Sequence, residues 1–217
     1  MRTASPGYRE RKPCYPAAMA SVPIVYLPGG GGRSSFWRPV ADRLAYRAAP
    51  IVFGYPGFGD VPSEPSIRSL SDLYDALLRI LPESFDLVAQ SMGNVLALRM
   101  AIEQPGRVRR LVVTAASGGI PVAPLGAVEW RESLRQEQPH APTWFIDDDT
   151  DLTPRLASLV APTLLLFADE DPLAPVRVGE FLRDRIAGSR LEVLNGSHSF
   201  AQEQPDRVAS LIAAHLA

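Results

Sequence analysis

The stretch FDLVAQSMGNVLALRMAIEQPG, residues 85–106, changes its hydrophobic period in the middle. Phe85–Ala89 is a short run of strand type, apolar but for Asp86, and Met92–Glu103 repeats its apolar residues at helical spacing before Pro105-Gly106 ends it. Between them Ala89-Gln90-Ser91-Met92-Gly93 leaves only a tight strand-to-helix turn. A serine at the tip of such a turn holds its hydroxyl above a sheet edge. Small residues two before and two after it allow neighbouring backbone to approach. Gly93 meets that need, and Ala89 adds one methyl. Ser91 alone could equally be the N-cap of the helix.

The same alternation continues on both sides. Ile24–Leu27, Ile51–Phe53, Leu111–Thr114, Thr163–Phe167 and Leu191–Leu194 are further short apolar runs. Helical periodicity predicts Phe36–Leu44, Ser71–Leu81, Arg177–Ile186 and Asp206–Leu216 between or after them. Strands without polar alternation, separated by helices, are buried on both faces. The expected fold is α/β, a mostly parallel sheet of about six strands covered by helices on both sides. Ligands of such sheets bind beyond the carboxyl ends of the strands, so chemical side chains should follow strands directly.

Two segments stand outside this rhythm. Residues 1–20 lack apolar periodicity and read as a disordered tail ahead of one domain over 21–217. Residues 118–162 are proline-rich, with Trp130, Trp144 and an acidic run at Asp147–Asp149, and only Val128–Gln136 reads as helix. They form a short lid over the top of the sheet, in which Trp130, Trp144 and Phe145 are candidate walls of an apolar pocket or contacts that hold the lid down.

The chain has 217 residues and a net charge of −2, so nothing draws it to nucleic acid or an anionic membrane. No apolar run approaches the roughly 20 residues of a membrane span. Its one cysteine, Cys14, builds neither an intrachain disulfide nor a metal site, which fits a cytoplasmic protein. The acidic run with Asp151 reads as a solvated loop, not a metal site; no cofactor is called for. Oligomeric state is not written in the sequence.

Two more loops past strands carry chemistry. Ala168-Asp169-Glu170-Asp171-Pro172 offers three carboxylates, any of which could orient a histidine or simply solvate a turn. Asn195-Gly196-Ser197-His198 holds the one histidine of three that lies just past a strand; His140 and His215 read as surface residues. A lone loop histidine is weak, but the order Ser, Asp, His, each after a strand, is a stronger pattern. Leu27-Pro28-Gly29-Gly30-Gly31-Gly32 follows the first strand. Its glycines let backbone N–H groups approach an oxyanion, and the N–H groups of Gly30 and Met92 are the candidates.

From about Val22 onward these motifs together resemble the α/β-hydrolase superfamily, its small serine esterase-like members in particular. Leu27-Pro28-Gly29-Gly30 with Trp37 is similar to the family's oxyanion loop, with Pro28 where histidine is usual. Asp171 with Pro175, and His198 with Glu203, Pro205 and Val208, are similar to its acid and histidine motifs. The resemblance selects Asp171 over Asp169. It implies a catalytic set of Ser91, Asp171 and His198, acyl-enzyme hydrolysis of a small carboxylic ester and no cofactor. An acyl thioester, or a non-catalytic binding protein on the same scaffold, are the alternatives. The family's extra antiparallel strands at the start of the sheet have no counterpart in residues 1–20.

Overall fold

The structure is a computed structural model and describes residues 22–59 and 61–217. The expectations for residues 1–20, Cys14 included, lie outside them. In chain order the elements are β1 (Ile24–Leu27), α1 (Arg38–Leu44), β2 (Pro50–Val52), α2 (Leu70–Ile80), β3 (Phe85–Gln90), α3 (Gly93–Glu103) and β4 (Val108–Thr114). Then follow α4 (Arg131–Glu137), α5 (Thr143–Ile146), β5 (Thr163–Ala168), α6 (Val176–Arg183), β6 (Arg190–Leu194), α7 (Phe200–Glu203) and α8 (Pro205–His215).

The six strands make one sheet in the order β2-β1-β3-β4-β5-β6, and every neighbouring pair is parallel. All residues of β1, β3 and β5 are buried, so both faces of the sheet's interior are covered. The edge strands β2 and β6 are partly exposed, as edges of a twisted open sheet must be. Strand order reverses beside β1: the chain leaves it for β2 on one side and returns as β3 on the other. The loops after β1 and β3 therefore diverge and open a crevice at the carboxyl edge.

β4 begins at Val108, three residues before the apolar run at Leu111. Charge hid its start. Arg109 is a β4 residue whose guanidinium makes two bonds to the carboxylate of Asp86 on β3, at 2.8 and 2.5 Å. Asp86 is 1% exposed. Arg109→Met strands that carboxylate in the sheet interior. The expected cost is about 2 kcal/mol, below the 3–5 kcal/mol of a fully buried pair because Arg109 is partly solvated. The urea midpoint measures it, and an unchanged midpoint would show that water replaces the arginine.

The first helix starts later than periodicity predicts: Ser34–Phe36 is a 3-10 turn, and Pro39 opens α1 in its first turn. Within 118–162 the single expected helix becomes α4, shifted to Arg131–Glu137. The structure adds α5 and the 3-10 turns Ala123–Leu125 and Thr153–Ser158. These are too short for a periodic signal, and proline opens both 3-10 turns.

His140 is exposed as expected, and His215 is only partly so. It ends α8 half-buried with its Nε2 3.2 Å from the Pro162 carbonyl, and burial holds its pKa below the ordinary 6.5. Unfolded, this imidazole takes a proton near 6.5; folded, it does so only at lower pH. Between those values the unfolded chain holds more protons, so stability is full above about 6.5 and is lost as pH falls through it. His215→Gln is expected to flatten that dependence in urea titrations at pH 7.5 and 5.5.

Candidate active site

Ser91 is the first residue after β3, at φ 53°. A left-handed backbone in a non-glycine residue costs on the order of 1–3 kcal/mol, so the surroundings must hold it. They do so at three points. The Ser91 N–H donates to the Thr114 carbonyl at 3.0 Å. The buried amide of Asn94 donates to the carbonyls of Ser91 and Thr114, at 3.0 and 2.9 Å. Gly93 meets the β1 loop so closely that a Cβ there would stand 2.3 Å from the Pro28 carbonyl oxygen. That contact is the physical reason for the glycine two residues past Ser91.

The β1 loop is pinned from beneath. The buried Trp37 indole donates to Leu27 O at 2.9 Å, and the buried Tyr55 hydroxyl donates to Pro28 O at 2.8 Å. Gly29 faces Ser91 itself; a Cβ would lie 2.7 Å from the Ser91 Cβ. Gly30 lines the cleft beside the serine, and Met92 opens α3. Among the described residues neither the Gly30 nor the Met92 N–H has a protein acceptor.

His198 arrives from the loop between β6 and α7, with its side chain one-fifth exposed. Its Nε2 is 3.0 Å from Ser91 Oγ, and its Nδ1 is 2.8 Å from Oδ2 of Asp171. Asp171 is 3% exposed, and its other oxygen accepts the N–H groups of Leu173 and Ala174, at 2.9 and 3.0 Å. Asp169 points elsewhere and accepts from Asn195 Nδ2 and Gly196 N. Geometry thus separates the two aspartates: one faces the imidazole, the other ties down the histidine loop. A serine hydroxyl, an imidazole and a buried carboxylate in line are the arrangement for general-base activation of a nucleophile.

A cleft of about 460 Å³ opens over Ser91 and His198, walled by Gly30, Phe36, Trp130, Leu134 and Leu173. Glu129, Ser133, Glu137 and Gln138 add polar groups to its lining, and among the described residues no arginine or lysine lines it. Of the three aromatic candidates only Trp130 stands in the cleft. Phe145 is fully buried and packs on Tyr55 and Phe58, with ring centroids 5.5 and 5.3 Å away. Trp144 packs edge-on against Phe145. Those two anchor the 118–162 segment to the core.

A model of the alpha/beta hydrolase family matches residues 24–150, more than half of the chain. The chain belongs to that family. Curated relatives include a protein of Streptomyces griseus named as a cadicidin biosynthesis thioesterase, 28% identical, matching 92% of this chain and 63% of the relative. A protein of Azorhizobium caulinodans named as the carbamate hydrolase RutD is 26% identical, over 86% of this chain and 88% of the relative. This α/β-hydrolase therefore spans less than two thirds of the first relative's length and most of the second's. Among solved structures, a hydrolase from Pseudomonas aeruginosa superposes with a TM-score of 0.77 at 20% identity, over 92% of this chain and 91% of that one.

The structure also brings two residues to this α/β-hydrolase's serine that sequence reasoning did not single out. Gln90 Nε2 lies 3.0 Å from His198 Nε2, and Ser117 Oγ lies 2.6 Å from Ser91 Oγ. Ser117 follows β4 by three residues, so the rule that led to the other residues also points to it. The acidic run turns on itself: Asp148 accepts from Thr150, Asp151 accepts from the Thr153 N–H, and Asp147 pairs with Arg135. Among the described residues no group of three or more His, Cys, Asp or Glu side chains could hold a metal ion, and no helix is long and apolar enough to cross a membrane.

Proposed function

We propose that this chain is a serine hydrolase that cleaves a small carboxylic ester through an acyl-enzyme. One observation carries the reading: Ser91 Oγ, His198 and Asp171 form an unbroken hydrogen-bonded line at 3.0 and 2.8 Å, opening on a cleft. His198 Nε2 takes the Ser91 proton as Oγ attacks the ester carbonyl. Asp171 keeps the other imidazole proton on Nδ1 and stabilises the imidazolium. The N–H groups of Gly30 and Met92 meet the oxyanion, assisted by the amino end of α3. His198 then protonates the departing alcohol and activates the water that frees the acid. Residues 118–162 act as the lid, with Leu134 and Trp130 set over Gly30. The single cysteine fits a cytoplasmic place of work.

The lining favours a neutral or cationic ester. Among the described residues the lining holds two carboxylates, Glu137 and the Arg131-paired Glu129, and no basic side chain, which opposes the entry of a polyanionic acyl carrier. An acyl thioester is the second reading, favoured by the name of the Streptomyces griseus relative. Hydrolysis of p-nitrophenyl acetate, butyrate and octanoate, beside the corresponding acyl-coenzyme A thioesters, tests both. The ester reading requires turnover of at least one ester and covalent labelling at Ser91 by a fluorophosphonate. Faster turnover of the thioesters would select the second. No turnover of either, with no labelling by a fluorophosphonate, would leave a binding protein on a hydrolase scaffold.

A further inference from the structure

Two donors compete for one acceptor at this site. With Nδ1–H given to Asp171, His198 Nε2 has a single in-plane lone pair. The Ser91 hydroxyl and the Gln90 amide both stand 3.0 Å from it. Ser91 becomes a nucleophile only if its own hydrogen takes that lone pair.

Ser117 decides which donor wins. It is 2% exposed, and Ser91 Oγ is its hydroxyl's hydrogen-bond partner among the described residues. If Ser91 donated to Ser117, the Ser117 hydrogen would be left without a protein acceptor among the described residues, which is unfavourable for a hydroxyl on a residue 2% exposed. If Ser117 donates to Ser91 Oγ, the Ser91 hydrogen must leave in another direction, and His198 Nε2 lies there. We infer that Ser117 is a positioning residue that points the hydroxyl hydrogen of Ser91 at His198.

The backbone supports this. Ser91, at φ 53°, and Ala115, at φ 45°, are the non-glycine residues with positive φ among those described. Each is the first residue after its strand, β3 or β4. The strained turn after β4 curls the chain back so that Ser117 reaches Ser91. Without a use for that hydroxyl the strain at Ala115 has no return at the site.

The inference rests on Ser91 being the nucleophile, and the test keeps the two apart. Wild type, Ser117→Ala and Ser117→Thr are compared, each with Gln90 and with Gln90→Met. The readouts are steady-state hydrolysis of a p-nitrophenyl ester over pH 5–9 and the rate of fluorophosphonate labelling, with the labelled peptide identified by mass spectrometry. Ser117→Ala is expected to lower kcat and the labelling rate by about tenfold, the effect of losing one hydrogen bond, with KM nearly unchanged. Ser117→Thr keeps the hydroxyl and retains most of the rate. In the Gln90→Met background the competitor is gone, and the loss from Ser117→Ala shrinks to about threefold or less. A Ser117→Ala enzyme as fast as wild type overturns the inference. So does a loss of equal size in both Gln90 backgrounds, which marks a merely structural serine. If wild type is neither active nor labelled at Ser91, the nucleophile reading itself fails and takes this inference with it.

Discussion

Ser91→Ala is expected to lower kcat for a p-nitrophenyl ester by roughly four to six orders of magnitude, the range seen when a triad nucleophile is removed. The protein should stay folded. Among the described residues the oxygen lost has Ser117 and His198 as its hydrogen-bond partners, and the bonds that hold the turn come from the backbone of Ser91 and from Asn94. Ser91→Gly sharpens the test. Glycine adopts φ 53° without strain, so this variant should be more stable than Ser91→Ala by about 1 kcal/mol while equally inactive. Two equally inactive variants then differ in stability, and the difference reads the backbone strain at Ser91 apart from the loss of its hydroxyl. Thermal unfolding and ester hydrolysis on the same samples measure both. An Ser91→Ala protein that retains a tenth of the wild-type rate would remove Ser91 from the mechanism.

What the sequence made legible followed from burial. β1, β3 and β5 are buried on both faces and are apolar along most of their length, with Asp86 the one charge inside β3, so their positions and the parallel sheet could be read directly. Ser91 and Asp171, just past β3 and β5, inherited that clarity, and His198, just past the partly exposed β6, meets them in space. Legibility failed where a long-range contact replaces a local pattern. Arg109 looks like a loop residue until its guanidinium is found bonded to Asp86 on β3. Phe145 looks like a pocket wall until its ring is found between Tyr55 and Phe58. His215 looks like a solvated helix end until Pro162 covers it. Ser117 belongs to no motif, and its place three residues past β4 gains meaning once its Oγ is found 2.6 Å from that of Ser91.

The choice between Asp171 and Asp169 yields the second large effect. Asp171→Asn is expected to lower kcat by about 10⁴, and the structure dictates why the substitution is so damaging. Oδ1 of Asp171 accepts two backbone N–H groups, from Leu173 and Ala174. In the asparagine only the carbonyl oxygen can take that place. The amide NH2 is therefore forced toward His198 Nδ1, 2.8 Å away in the native protein. A donor there compels Nδ1 to accept and moves the imidazole proton to Nε2, which can then no longer take the proton of Ser91. The fold is spared, because every backbone bond is kept. Asp169→Asn has no such consequence. Its partners, Asn195 Nδ2 and Gly196 N, hold the loop rather than the ring, and an asparagine oxygen can still accept one of them. Its rate should fall by no more than about tenfold, the share of one charged hydrogen bond. Rates for the two variants, measured beside their unfolding midpoints, separate the assignments. Equal losses, or a greater loss at Asp169, would give the acidic role to the other carboxylate and show that the 2.8 Å contact is not the one that sets the tautomer.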